Sequence, residues 1–269
     1  MSTFDPAPPV VPAAPWIIGR HAAGVPRFRL LCLPHAGGSA TSFTAWRPHL
    51  PDGVEIAPVE LPGRGSRIDE PVPHALPPLA DDLLDGVRGE LDLPYAVFGH
   101  SFGAVLGYEL TRRIERQDGL RAPSALLVSA HRAPHLPLAR DPLTGSSDQQ
   151  LAAWLHGHGG LPEQLLHHPE FLRDLLHAVR ADLTLAEAYL LPAPAPVDCP
   201  LIVLAGADDE VAAPARVEPW TAYSAGPPRM RVLPGGHSYP QAHPEATLTA
   251  VTEELRRLGL LGAERDGQG

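Results

Sequence analysis

The 269-residue chain contains no lysine: all 21 of its basic residues are arginine, against 31 acidic ones, and the formal net charge is −10. Such a surface repels nucleic-acid phosphates and anionic lipid, so no nucleic-acid partner is expected and any acidic partner must meet a local basic patch. Cysteine is nearly as scarce. Cys32 lies within an apolar run and Cys199 just before another; neither has metal-ligand or redox-motif spacing, and both are read as buried free thiols in a reducing compartment. No apolar run approaches the roughly 20 residues needed to cross a bilayer. Met1 to Pro15, with Asp5 and five prolines, also lacks the basic and apolar regions of a secretory signal. A cytoplasmic protein with no membrane partner is the expectation.

Proline and glycine, by contrast, are plentiful at 33 and 25, which implies many connections between elements. The length suits one core, because single cores stop growing near roughly 250–300 residues. Short apolar runs recur at Phe28 to Leu33, Val54 to Val59, Tyr95 to Gly99, Ala125 to Ser129, Leu201 to Ala205 and Met230 to Leu233. Several are continuous rather than alternating, the mark of strands covered on both faces of a parallel sheet. Between them lie helical patterns, such as Leu79, Leu83, Val87 and Leu91, or Leu248, Val251, Leu255 and Leu258. The fold class is therefore α/β, with a mostly parallel central sheet flanked by helices. One domain is expected over residues 16–262, with disordered tails at 1–15 and 263–269.

From about residue 131 to 196 the strand-like runs vanish. Leu172, Leu175, Leu176, Val179, Leu183 and Ala186 mark one long amphipathic helix, closed by the Pro-rich stretch from Leu191 to Pro196. A helical insertion between two core strands is read as a lid over a site, the alternative being a structural excursion.

The chemistry is concentrated in three loops. In Gly99-His100-Ser101-Phe102-Gly103 an apolar run ends at the first glycine and a helical pattern begins at Phe102. This strand-turn-helix context makes Ser101 a candidate nucleophile rather than a mere helix cap. A serine hydroxyl needs a base. His237, in the Pro234-Gly-Gly-His turn that follows a late strand, is the candidate among 14 histidines. The acid that orients it should follow the strand ending at Ala205, where Asp208 and Asp209 stand side by side. Asp209 is preferred, with Asp208 the alternative. The amide of Phe102 and that of Ala36, in the turn Pro34-His-Ala-Gly-Gly38, are candidate oxyanion donors. That turn lacks the Gly-Lys-Ser/Thr of a phosphate loop. His131, His135, His156, His158, His167 and His168 show no metal-ligand pattern, so no metal is expected.

With these residues placed, the chain from about Arg29 to Leu260 resembles the stand-alone type II thioesterases of polyketide and nonribosomal peptide synthases, members of the α/β-hydrolase class. The resemblance is carried by Leu33-Pro-His-Ala-Gly-Gly38, Glu60-Leu-Pro-Gly-Arg-Gly65, Phe98-Gly-His-Ser-Phe-Gly103, Ser129-Ala-His-Arg-Ala-Pro134, Gly206 to Asp209, and Leu233-Pro-Gly-Gly-His237. It implies Ser101, Asp209 and His237 as catalytic triad and Ala36 and Phe102 as oxyanion donors. It also implies hydrolysis of acyl thioesters from the phosphopantetheine arm of acyl or peptidyl carrier proteins, with no metal or redox cofactor. Glu210 departs from the proline common after the acid. Ala130 departs from a common glycine, at no evident cost.

The role of Arg64 is open between tying its loop together and touching substrate. Arg64, Arg67, Arg132 and Arg140 are expected near the entrance as the basic patch that receives an acidic carrier. Three rival readings stand beside this one: a carboxylesterase or lipase with the same triad, a product-cyclising thioesterase, and a catalytically inactive hydrolase-like binding protein. The lack of a fused carrier domain is read as favouring the discrete editing type.

Overall fold

The computed structural model describes residues 15–227 and 229–262. Six strands, β1 (His21–Leu33), β2 (Asp52–Pro58), β3 (Tyr95–His100), β4 (Ala125–Ser129), β5 (Leu201–Gly206) and β6 (Arg229–Leu233), form one sheet. Their order is β2-β1-β3-β4-β5-β6, and every neighbouring pair is parallel. Every residue of β3, β4 and β5 is buried, which is why those runs read as continuous rather than alternating. β1 starts well before the apolar run at Phe28. Its half-exposed first part is held by pairing with β2 across shifts of register, a backbone interaction that leaves no hydrophobic signature. The tail expectations for residues 1–14 and 263–269 lie outside the described residues.

The connections carry α1 (Leu76–Val87), α2 (Phe102–Glu115), α3 (Asp148–Gly157), α4 (Pro169–Ala188) and the single turn α5 (Pro214–Val217); α6 (Tyr239–Ala242) and α7 (Pro244–Arg257) follow β6. The two-residue period of the strands splits the core between the sheet faces. Leu31 and Leu33 pack with α1 and α2, whereas Leu30 and Cys32 pack with Phe43, Trp46, Phe98 and α7. Cys32 and Cys199 are free and buried.

The insertion between β4 and β5 builds a small core of its own from Leu151, Leu155, Leu161, Leu176, Val179 and Leu183, with Ala36 packed against it. α3 is started by a reciprocal capping box between Ser147 and Gln150. α4 is finished by Arg132, whose Nη2 donates to the carbonyls of Glu187 and Tyr189 at distances of 3.2 and 2.9 Å. The insertion therefore lies across the C-terminal end of the sheet, where open α/β folds place their sites.

Candidate active site

Ser101 sits in the turn between β3 and α2 with φ 54° and ψ −116°, a strained backbone for a residue with a side chain. The strain is imposed from both sides. Ser101 N donates to the Ser129 carbonyl at 2.8 Å, and the Ala104 amide donates to the Ser101 carbonyl at 2.9 Å. Gly103 permits the close approach of α2 to β1, since a Cβ there would stand 2.3 Å from the Leu33 carbonyl oxygen. The turn thus lifts the Ser101 hydroxyl to the wall of a cavity of about 190 Å³.

His237 Nε2 lies 3.0 Å from Ser101 Oγ, and His237 Nδ1 lies 2.9 Å from Asp209 Oδ2. A carboxylate only accepts, so Nδ1 carries the proton and Nε2 is left to accept from the serine hydroxyl. The other carboxylate oxygen, Asp209 Oδ1, accepts from the amides of Val211 and Ala212, each at 2.8 Å. Burial pushes the Asp209 carboxyl up, but its hydrogen bond and charge attraction to His237, with the two amides, outweigh burial and hold it below the ordinary carboxylate value. Asp208 is exposed, so the geometry separates the two neighbours: Asp209 meets the imidazole. The loops after β5 and β6 are tied by backbone bonds, Ala207 N to the Leu233 carbonyl at 2.8 Å and Asp208 N to the Gly235 carbonyl at 3.0 Å. They bring acid and base together.

Ala36 lines the same cavity as Ser101 and His237. Among the described residues the amides of Ala36 and Phe102 donate no hydrogen bond, which leaves both available to an oxyanion. A further histidine packs against the base. His100 is buried, with Nδ1 at 2.8 Å from Ser129 Oγ, which in turn bonds the Tyr239 hydroxyl. Its ring centroid is 5.4 Å from that of His237. Burial first, then the neighbouring His237 and His35, hold the His100 imidazole well below the ordinary histidine value. A neutral ring at this position packs against His237 without opposing a positive charge on it.

Several arginines differ from expectation. Arg64, Arg67 and Arg132 are buried. Arg64 forks onto both carboxylate oxygens of Asp182, with Nη2 to Oδ1 at 2.9 Å. Arg67 pairs with Glu70 at 2.6 Å and lies 3.9 Å over the Trp16 ring. Arg140 pairs with Glu187 at 2.9 Å. Buried and engaged in this way, Arg64 and Arg67 do not contribute to an accessible basic patch, and Arg64 has the loop-tying role rather than a free reach to substrate; Arg132 and the half-exposed Arg140 line the cavity. Ala130 is a second correction: at φ 51° it occupies the left-handed region, where a glycine would be unstrained and alanine costs about 1–2 kcal/mol.

The sequence reading overlooked Asp182 and His100. A detectable signal existed for Asp182, an acid set into the apolar stripe of α4 at helical spacing from Val179 and Ala186. His100 offered no such signal, being the variable position of its motif. Among the described residues no group of three or more His, Cys, Asp or Glu could hold a metal ion, and no helix is long and apolar enough to cross a membrane.

The family model for a thioesterase domain matches residues 28–256. The chain belongs to the thioesterase domain family. It is a hydrolase acting on thioesters, with the α/β-hydrolase fold of its structural neighbours. Thioesterase PikA5 of Streptomyces venezuelae is 37% identical over 230 residues, covering 83% of this chain and 79% of that protein. The RedJ thioesterase of the prodiginine pathway in Streptomyces coelicolor superposes with a TM-score of 0.77 at 34% identity, over 93% of this chain and 91% of that one. BorB, the type II thioesterase of the borrelidin cluster, superposes with a TM-score of 0.78 at 36% identity, over 90% and 98% of the two chains.

Proposed function

We propose that this chain is an editing thioesterase that clears acyl groups from the phosphopantetheine arm of acyl or peptidyl carrier proteins in polyketide or nonribosomal peptide synthesis. The observation that carries the reading is the continuous relay from Asp209 through His237 to Ser101, opening on a cavity that Ala36 lines, with the amides of Ala36 and Phe102 unengaged among the described residues. Relatives named as type II thioesterases of such pathways support the substrate class.

In this reading His237 Nε2 takes the Ser101 proton while Oγ attacks the thioester carbonyl carbon. The carbonyl oxygen becomes an anion held by the Ala36 and Phe102 amides. Collapse breaks the carbon–sulfur bond, and the departing thiolate takes the proton from His237. Water then gives its own proton to His237 and attacks the acyl ester; Ser101 leaves with that proton, and the free acid is released. Every proton and electron pair is accounted for by these groups, with no metal or redox cofactor.

The decisive experiment presents a panel of acyl groups on one carrier protein, beside matched oxygen esters, to the wild type and to Ser101→Ala. Wild type is expected to turn over carrier thioesters in preference to the esters, and Ser101→Ala to lose at least about 10⁴-fold in kcat. Turnover surviving in Ser101→Ala refutes the covalent route. A preference for oxygen esters favours the carboxylesterase reading instead.

A further inference from the structure

The buried carboxylate of Asp182 stands apart from the relay, yet it touches the oxyanion turn. It projects from α4, the longest helix of the insertion, and is fully shielded from solvent. One of its oxygens, Oδ2, accepts from the Gly37 amide at 2.8 Å, and the same carboxylate is held by the Arg64 fork. Arg64 Nη1 also reaches the Gly38 carbonyl at 3.3 Å. Two backbone groups of this turn, the Gly37 amide and the Gly38 carbonyl, are therefore held by a single ion pair. The packing is equally close. Gly37 has φ +72°, and a Cβ there would stand 2.2 Å from Val179 Cγ2 of the same helix. Helix and turn meet with no space between them.

We infer that Asp182 is a positioning residue: by accepting from the Gly37 amide it sets the Ala36 amide in the orientation that receives the oxyanion, while Arg64 offsets its buried charge, so the seating of α4 governs turnover. This rests on the reading of Ser101 as nucleophile and Ala36 as oxyanion donor. An amide displaced by about 1 Å from its working position loses on the order of 10²-fold in rate, and removal of one oxyanion donor costs about 10²–10³ in kcat. A helix that merely shaped the chamber would alter substrate binding instead.

Breaking the pair from one side leaves the other charge buried alone, and such a variant risks misfolding. The test therefore uses two matched double variants from which the charge pair is gone. Arg64→Met with Asp182→Asn keeps a carbonyl oxygen for the Gly37 amide; Arg64→Met with Asp182→Leu removes it. The first is expected to stay within about threefold of wild-type kcat, and the second to fall about 10- to 100-fold with KM changed less than twofold. Affinity for a boronic acid that mimics the tetrahedral intermediate should fall in parallel with kcat. Thermal melts establish that both variants are folded, and amide exchange at Gly37 in the wild type offers a measurement free of substitution: slow exchange is expected, and exchange at the rate of an open loop overturns the proposal. Equal kcat in the two double variants, or a loss confined to KM, overturns it as well. Ser101→Ala measured in parallel separates the failures, since turnover there refutes the nucleophile and not Asp182 alone.

Discussion

Asp209→Asn should silence the enzyme through a change of tautomer rather than a loss of contact. Asp209 Oδ1 accepts two backbone amides, from Val211 and Ala212, both at 2.8 Å. An asparagine at this position must put its single carbonyl oxygen there, because its NH₂ cannot face two N–H donors. The NH₂ is then turned toward His237 Nδ1, which lies 2.9 Å from the oxygen it replaces. Nδ1 must accept, so the ring proton moves to Nε2, where it points at Ser101 Oγ and blocks removal of the serine proton. Wrong-tautomer triads of this kind lose about 10⁴-fold in kcat, equivalent to about 5.4 kcal/mol of transition-state stabilisation. Asp208→Asn, at an exposed side chain, should stay within about twofold of wild type. Single-turnover release of an acyl group from a carrier protein at pH 7, with melting curves for both variants, reads the difference. Retention of more than about 1% of wild-type kcat in Asp209→Asn, or a comparable loss in Asp208→Asn, refutes the argument.

Three further outcomes follow from the same contacts. Gly103→Ala would force a methyl to 2.3 Å from the Leu33 carbonyl oxygen and should cost about 3 kcal/mol or more, read by denaturant unfolding; a loss under 1 kcal/mol means that α2 has room to move. Arg64→Met alone leaves the buried Asp182 carboxylate without its partner and should destabilise by about 3–5 kcal/mol, whereas a neutral effect would show that water reaches the pair. His131 is pushed down from 6.5 to about 3 by burial and then by Arg132. Between those values the unfolded chain binds a proton that the folded chain refuses, so stability falls as pH drops from 6.5 toward 3. At pH 5 the loss from this one group is about 2 kcal/mol. His131→Gln should therefore show a shallower fall in unfolding free energy between pH 7 and 5, and an unchanged slope would place the acid sensitivity elsewhere.

Much of this site was legible because strand ends and turn glycines leave local marks. Ser101 follows a continuous apolar run and precedes a helical one, and His237 follows the Pro-Gly-Gly turn after the last strand. Those positions depend on neighbours within a few residues, where composition and spacing speak directly. Arg64, Arg132 and Asp182 were not legible in the same way. Their partners lie tens to more than a hundred residues away, and an arginine in a loop reads identically whether it meets solvent or a buried carboxylate. The strain at Ala130 is likewise a backbone property that its methyl side chain does not announce.

By itself, then, the amino-acid order determined a parallel α/β sheet, a helical insertion, and a serine, an acid and a histidine placed after β3, β5 and β6. Short-range patterning carries that information, since burial on one or both faces repeats with the period of each element. Tertiary structure alone decided which of two adjacent aspartates meets the imidazole, because both stand in the same short turn and only the closing of the β6 loop on the β5 loop turns one inward. It also decided that Arg64 binds the lid to the oxyanion turn instead of facing a partner, because the strength and purpose of an ion pair depend on what surrounds it after folding, not on its position along the chain.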